Sequence, residues 1–227
     1  MKLKDSKTYE NLAKAYAGEC QARTKYIFMK YGANQQMMTA LADQIETVIK
    51  NEFHHARMLY TFIQTADNKT IANIDIATGY PFKQKWNLLD NLKFAAEDEA
   101  NEANLIYPEY AKTAKAEGFL DIAGLFNNLI QVETCHKLLF EQLYDQMKNA
   151  TMYKKPQKVK WKCMDCGYES ESKEAWTVCP LCQAKQGACM IQIEESGSPK
   201  KMRLWEDDSE FKNAPAKGHS KSDAARV

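Results

Sequence analysis

Two copies of one short pattern carry most of the chemistry in this sequence. Glu52-x-x-His55 and Glu133-x-x-His136 each set a carboxylate and an imidazole at i, i+3, on one face of a helix. The copies are 81 residues apart (52 to 133), and another carboxylate pair, Glu19 and Glu99, is 80 apart. Only four histidines exist, His54, His55, His136 and His219, so two of them falling at the repeat spacing is informative. A single Glu-x-x-His on a helix is usually a solvated pair; two at repeat spacing are not explained that way. A second cluster of chemistry follows near the C-terminus. Cys163-x2-Cys166-x12-Cys179-x2-Cys182 is a pair of C-x-x-C knuckles, spaced to set four thiolates in a tetrahedron. Thiolate softness and geometry suit iron or zinc.

The elements that must position these residues follow from apolar spacing. Helix A is expected from about Ser6, a plausible N-cap, to Tyr31, interrupted by Gly32 and Asn34. Helix B spans about Gln35 to Ala66, helix C about Trp86 to Glu117 with a kink at Pro108, and helix D about Phe119 to Asn149. Gly118 is a natural stop between C and D. The A–B and C–D turns are short, and residues 67–85 form a long crossover between B and C. The expected fold is all-α: a ferritin-like four-helix bundle over 1–150 with one long crossover, then a small C-terminal metal ribbon.

In each helix the apolar stripe turns acidic in the middle. Helix A reads Leu12, Ala15, Glu19, Ala22, Tyr26; helix B reads Val48, Glu52, His55, Leu59; helix C reads Ala95, Glu99, Glu102, Ile106; helix D reads Leu129, Glu133, His136, Phe140. Buried carboxylates are costly unless neutralised, and five at one level repel. A pair of multivalent cations removes the objection. One Glu from each of two helices plus Glu-x-x-His from each of the others is the known donor set of di-iron and di-manganese carboxylate bundles. Residue choice does not separate iron from manganese. The halves differ at one place: Glu102 follows Glu99 by one turn, whereas Ala22 follows Glu19. Glu102 is thus a seventh, asymmetric ligand candidate. His54 lies about 100° off the stripe and should be solvent-facing or outside the ligand set. Glu97 and Asp98 read as solvated charges, and Cys20 and Cys135, each beside a ligand, as small core residues.

Residues 151–160 turn basic, contain Pro156 and read as a linker; 161–195 form the cysteine domain, too small to fold without metal. Trp161, Tyr168 and Trp176 should form its core. Residues 196–227, rich in Gly, Ser, Pro and Lys, are expected to be disordered, with Trp205 and Phe211 able to dock locally. The 31 basic and 30 acidic residues nearly cancel, so no electrostatic case exists for nucleic acid or a membrane surface. The polar start and the lack of a long apolar run point to a soluble, cytoplasmic protein, where paired cysteines bind metal rather than form disulfides.

With these motifs in place, the chain resembles the rubrerythrin family over roughly residues 5–190. The matching segments are Ala17-Gly18-Glu19-Cys20-Gln21-Ala22-Arg23, Asn51-Glu52-Phe53-His54-His55-Ala56, Glu99-Ala-Asn-Glu102 followed by Tyr107-Pro108, and Glu133-Thr-Cys-His136. Trp161-Lys162-Cys163-Met-Asp-Cys166-Gly167-Tyr168 and Cys179-Pro180-Leu-Cys182 resemble the family's rubredoxin-like domain. The resemblance implies two irons on Glu19, Glu52, His55, Glu99, Glu102, Glu133 and His136, and a third on Cys163, Cys166, Cys179 and Cys182. It also implies that Glu102 exchanges with His55 as an iron changes oxidation state, and that Tyr26 and Tyr107 hydrogen-bond ligating carboxylates. The implied activity is reduction of hydrogen peroxide to water in oxidative-stress defence. Electrons come from rubredoxin or an NAD(P)H-dependent reductase and pass through the FeS4 centre of a head-to-tail homodimer. After Cys182 the usual Pro-Lys-aromatic is replaced by Ala184-Lys185-Gln186 and Cys189-Met190, and the tail is not a family feature. The rival readings are a ferroxidase or iron-handling bundle, and a non-redox scaffold with a structural zinc ribbon. The first does not explain four cysteines; the second would be colourless.

Overall fold

The computed structural model describes residues 1–67, 69–79 and 87–194, and Met1–Glu194 form one compact unit. The expected start of the third helix at Trp86, Pro81 in the crossover, and the tail with Trp205 and Phe211 lie outside the described residues. Helix α1 (Lys7–Gln35) begins at Ser6, whose Oγ accepts the Tyr9 N–H at 3.1 Å. The Glu117 carboxylate accepts the N–H groups of Lys7 and Thr8 at 3.0 and 2.8 Å, adding negative charge at the helix start from a distant element. Helix α2 spans Thr39–Gln64.

Helix α1 runs four residues past the expected end at Tyr31. A glycine inside a helix costs only about 1 kcal/mol, and Ala33, just beyond Gly32, is fully buried in the core. The helix stops where Met37 takes φ 56°. The Met38 N–H bonds to Ala33 O and the Met37 N–H to Asn34 O, a Schellman ending. Gly118 ends the later pair identically: φ 87°, Phe119 N–H to Ala114 O, Gly118 N–H to Lys115 O. Met37 and Gly118 are 81 residues apart, so the internal repeat includes its turns.

The third rod departs from expectation. It consists of α3 (Leu88–Asn101), a π-helical turn (Glu102–Ile106) and α4 (Tyr107–Ala116). Pro108 sits in the first turn of α4, where a missing N–H is tolerated; the irregularity lies just before it. Helix α5 (Leu120–Lys148) completes the bundle. Lys30 pairs with Glu46 at 2.8 Å and Tyr16 packs on Tyr60, which fixes α1 and α2 as antiparallel neighbours. The interior falls into two apolar clusters, one around Tyr26, Met29, Ile45, Leu92 and Phe140, the other around Leu12, Leu59, Tyr107, Phe126 and Leu129.

Beyond the bundle, β1 (Lys154–Lys162) pairs antiparallel with β2 (Glu169–Glu174), with Trp161 opposite Ser170. Most of the segment expected as a linker is therefore strand. Trp161 is fully buried against Ala175 and Cys189, its Nε1 donates to Ser172 O at 3.0 Å, and Tyr168 meets Trp176 edge-on, as the small aromatic core requires. Met152 and Ile191 insert into the first bundle cluster. The Gln146 amide donates to Gln192 O at 2.7 Å, and Gly187 meets the α1–α2 turn so closely that a Cβ there would lie 1.8 Å from Met37 O. The ribbon is thus seated on the α1–α2 end of the bundle. Among the described residues no helix is long and apolar enough to cross a membrane.

Candidate metal centres

Between the two apolar clusters lies a layer of buried acid. Glu19, Glu52, Glu99, Glu133 and His136 are all buried, one or two from each rod. Two donor groups form there: Glu19, Glu52, His55 and Glu133 in one, and Glu52, Glu99, Glu133 and His136 in the other. Glu52 and Glu133 belong to both, as carboxylates bridging two ions must. The His55 Nδ1 lies 3.2 Å from Glu133, 3.3 Å from Glu52 and 3.4 Å from Glu19. The His136 Nδ1 lies 2.8 Å from Glu133, 3.1 Å from Glu52 and 3.7 Å from Glu99.

The buried polar atoms test whether a metal pair fits. Glu19 Oε2, Glu52 Oε1, Glu99 Oε2, both Glu133 oxygens and His136 Nδ1 have no hydrogen bond although shielded from water. Leaving such groups unmade is expensive, and all of them sit within the two donor groups. Two cations would satisfy them together. Without metal, protons must serve instead. Burial first, then the bond to Glu52, holds the Glu19 carboxyl well above its usual range. Burial opposes ionisation of Glu52, but Glu19 and the two imidazoles beside it hold its carboxyl low. Burial raises Glu99 to about 8. His55 is pushed up to about 12: burial pulls it down, but the carboxylates of Glu133, Glu19 and Glu52 around it prevail.

Two tyrosines close the layer from opposite ends. Tyr26, on α1, donates to Glu99 on α3; Tyr107, at the start of α4, donates to Glu19 on α1. Each half of the repeat therefore holds a carboxylate of the other. Glu102 stands apart. It is partly buried and belongs to neither donor group, and its Oε1 lies over Gly18, 3.8 Å from where a Cβ would be. Burial, then the charges of Glu99, Glu133 and Glu52, raises its pKa well above the ordinary value. The structure thus gathers six of the seven bundle candidates around two positions and holds the seventh beside them.

The π turn escaped the sequence reading, although its signal was present. Glu19 to Glu99 is a step of 80, but Tyr26 to Tyr107 is 81, as are both Glu-x-x-His positions. One extra residue must therefore lie between Glu99 and Tyr107, and a π turn is how a helix absorbs one. His54 is exposed, as expected. Cys135 is exposed too, which corrects its assignment to the core: one position before the buried His136, it faces outward. Asp98 is not simply solvated, since Lys25 of α1 pairs with it at 2.7 Å.

At the ribbon, Cys163, Cys166, Cys179 and Cys182 converge, with Sγ–Sγ separations of 3.7 Å for Cys163–Cys182 and for Cys166–Cys179. A tetrahedron with metal–sulfur bonds of about 2.3 Å has edges of about 3.8 Å. The knuckles are near-copies: Gly167 N–H bonds to Cys163 O and Gln183 N–H to Cys179 O, with φ 77° and 66° at those two residues.

A bridged two-ion carboxylate site inside a four-helix bundle, joined to a four-thiolate ribbon, defines a ferritin-like di-metal protein with a rubredoxin-like domain. The sequence model for rubrerythrin matches residues 10–144, and that for the rubrerythrin rubredoxin-like domain matches 161–188. Rubrerythrin of Clostridium perfringens is 37% identical over 180 residues, covering 79% of this chain and 91% of that protein. Rubrerythrin-1 of Clostridium acetobutylicum is 34% identical over 192 residues, covering 85% and 97%. A solved structure of nigerythrin in a mixed-valence state superposes with a TM-score of 0.54 at 23% identity, over 83% of this chain and 90% of that one. The chain belongs to the rubrerythrin family. The family has a di-iron site and a rubredoxin-like iron–cysteine site, and this chain presents a donor set for each.

Proposed function

We propose that the chain is a non-haem di-iron peroxidase that reduces hydrogen peroxide to water, consuming two electrons and two protons for each peroxide. The reading is carried by one observation. Glu52 and Glu133 are shared by two adjoining donor groups, so two ions are held as a unit, in a chain that also carries a separate one-electron thiolate site. Two ferrous ions held there would supply one electron each, the number that O–O cleavage needs without release of a radical. The protein's residues do the rest. Glu19, Glu52, His55, Glu99, Glu133 and His136 hold the pair. Tyr26 and Tyr107 fix Glu99 and Glu19 in place, and the apolar clusters above and below limit water. Glu102, outside both donor groups, is the carboxylate available to join when the ions are oxidised, in exchange for His55.

Cys163, Cys166, Cys179 and Cys182 would hold an iron able to take up single electrons, from rubredoxin or an NAD(P)H-dependent reductase. The ribbon's seat supports the head-to-tail dimer. Glu52 lies 14 residues along α2 from Met38, about 21 Å at 1.5 Å per residue, so the contact of Gly187 with the α1–α2 turn lies well away from the chain's own carboxylate layer. In the head-to-tail dimer that the resemblance implies, the partner's layer would receive the electrons. In this reading residues 1–150 are the catalytic bundle, and the ribbon of 154–194, which includes the strand Lys154–Lys162, is the electron-entry domain. Steady-state assay with a rubredoxin–reductase system tests it: one NADH should be consumed per peroxide added. A protein with three metals that consumes NADH with oxygen but not with peroxide would overturn it.

A further inference from the structure

The Asn51 amide lies 3.1 Å from His136 Nε2, the imidazole nitrogen that faces away from the carboxylates. Because His136 Nδ1 points into the donor group, its lone pair is the one a cation takes, which leaves the proton on Nε2. Nε2–H then needs an acceptor. A half-turn of the Asn51 amide puts Oδ1 in that place without moving the backbone. The repeat makes the contact distinctive. The position 81 residues beyond Asn51 is Val132, which cannot hydrogen-bond, and the interactions of His55 with described residues all run through Nδ1 or ring stacking. One histidine of the pair is braced from behind and the other is not.

We infer that Asn51 is a positioning residue that pins His136 as the permanent histidine ligand. With valine at the repeat position that corresponds to Asn51, His55 is left as the one that can let go. The inference rests on the two-ion reading of the bundle. Groups that brace a ligating imidazole in this way fix its tautomer and orientation, and their loss typically lowers metal affinity by about 10- to 100-fold.

The test uses the full chain loaded with Co(II), whose intense thiolate bands report the cysteine site separately from the bundle. Chelator competition gives the bundle affinity, and proton NMR of the Co(II) protein shows the shifted imidazole N–H signals. The unsubstituted chain should bind two bundle ions. It should show one slowly exchanging N–H, from His136, and one that exchanges fast, from His55. Asn51→Leu should weaken bundle binding about 10- to 100-fold and abolish the slow signal, with helix content and thiolate bands unchanged. Asn51→Asp, which keeps an acceptor, should restore both. Wild-type affinity with a persisting slow signal in Asn51→Leu would overturn the role of Asn51 while leaving the two-ion site intact. An unsubstituted chain that took up no bundle Co(II) would sink the site reading and this inference together.

Discussion

The two halves of the bundle carry the same ligands in the same order, yet they are not copies. The first half, α1 and α2, is regular throughout. The second, α3 to α5, contains a π turn that brings in one extra residue and, at its start, the additional carboxylate Glu102. The halves differ again at the position before the Glu-x-x-His motif, where Asn51, which meets His136, stands in one and Val132 in the other. Besides their turns, what they share concerns holding two ions: four carboxylates, two imidazoles and a pair of crosswise tyrosine bonds. What differs surrounds His55 and Glu102. In the proposed function, symmetry serves binding and its local loss serves the redox cycle.

Substitutions can break this comparison at each level. The largest effect belongs to a shared, symmetric ligand. Glu52→Ala should remove a donor common to both groups and empty the bundle, so that metal analysis falls from three ions per chain to one; two retained bundle ions would show that Glu52 does not bridge. Cys166→Ser should come next, ending turnover with an external donor and bleaching the red chromophore. Peroxide should still oxidise a bundle reduced beforehand, and loss of that single turnover would mean the centres are not separable.

Glu102→Ala attacks the asymmetry alone. It should keep two bundle ions and slow peroxide turnover by about 10- to 100-fold; an unchanged rate would remove the exchange role, and an empty site would make Glu102 an ordinary anchor. The smallest effect is a pH dependence. In the metal-free chain Glu99, raised to about 8, and His55, raised to about 12, both hold protons at pH 7. Metal must displace those protons, so lowering the pH favours the empty site, and affinity should fall by about tenfold per unit for each proton released. Calorimetry of Zn(II) binding in buffers of different ionisation enthalpy counts the protons, and a count of zero would contradict this electrostatic picture.

Much of the site was legible because a carboxylate in an apolar stripe is so costly that its presence is a message. Glu19, Glu52, Glu99 and Glu133 stood out for that reason, and the knuckle spacing of Cys163 to Cys182 is as plain. The end of α1 was less so. Its stop is a left-handed Met37, with no glycine to mark it, whereas Gly118 marks the same turn in the second half. The ribbon's seat was hidden because Gly187 looks like any loop glycine until Met37 O is found against it. Asn51 was hidden likewise, since its partner is 85 residues away and its meaning depends on which imidazole nitrogen faces the carboxylates. The π turn was the nearest miss. A one-residue discrepancy between 80 and 81 had been visible, but only the tyrosine pair locates it.

The most direct measurement is anaerobic stopped-flow mixing of the fully reduced, three-iron chain with a single equivalent of hydrogen peroxide. The expected result is rapid oxidation of the bundle irons by one peroxide, followed by a slower reddening as the reduced FeS4 centre passes an electron to the oxidised pair. Failure of the bundle irons to oxidise, or their oxidation by oxygen but not by peroxide, would contradict a peroxidase.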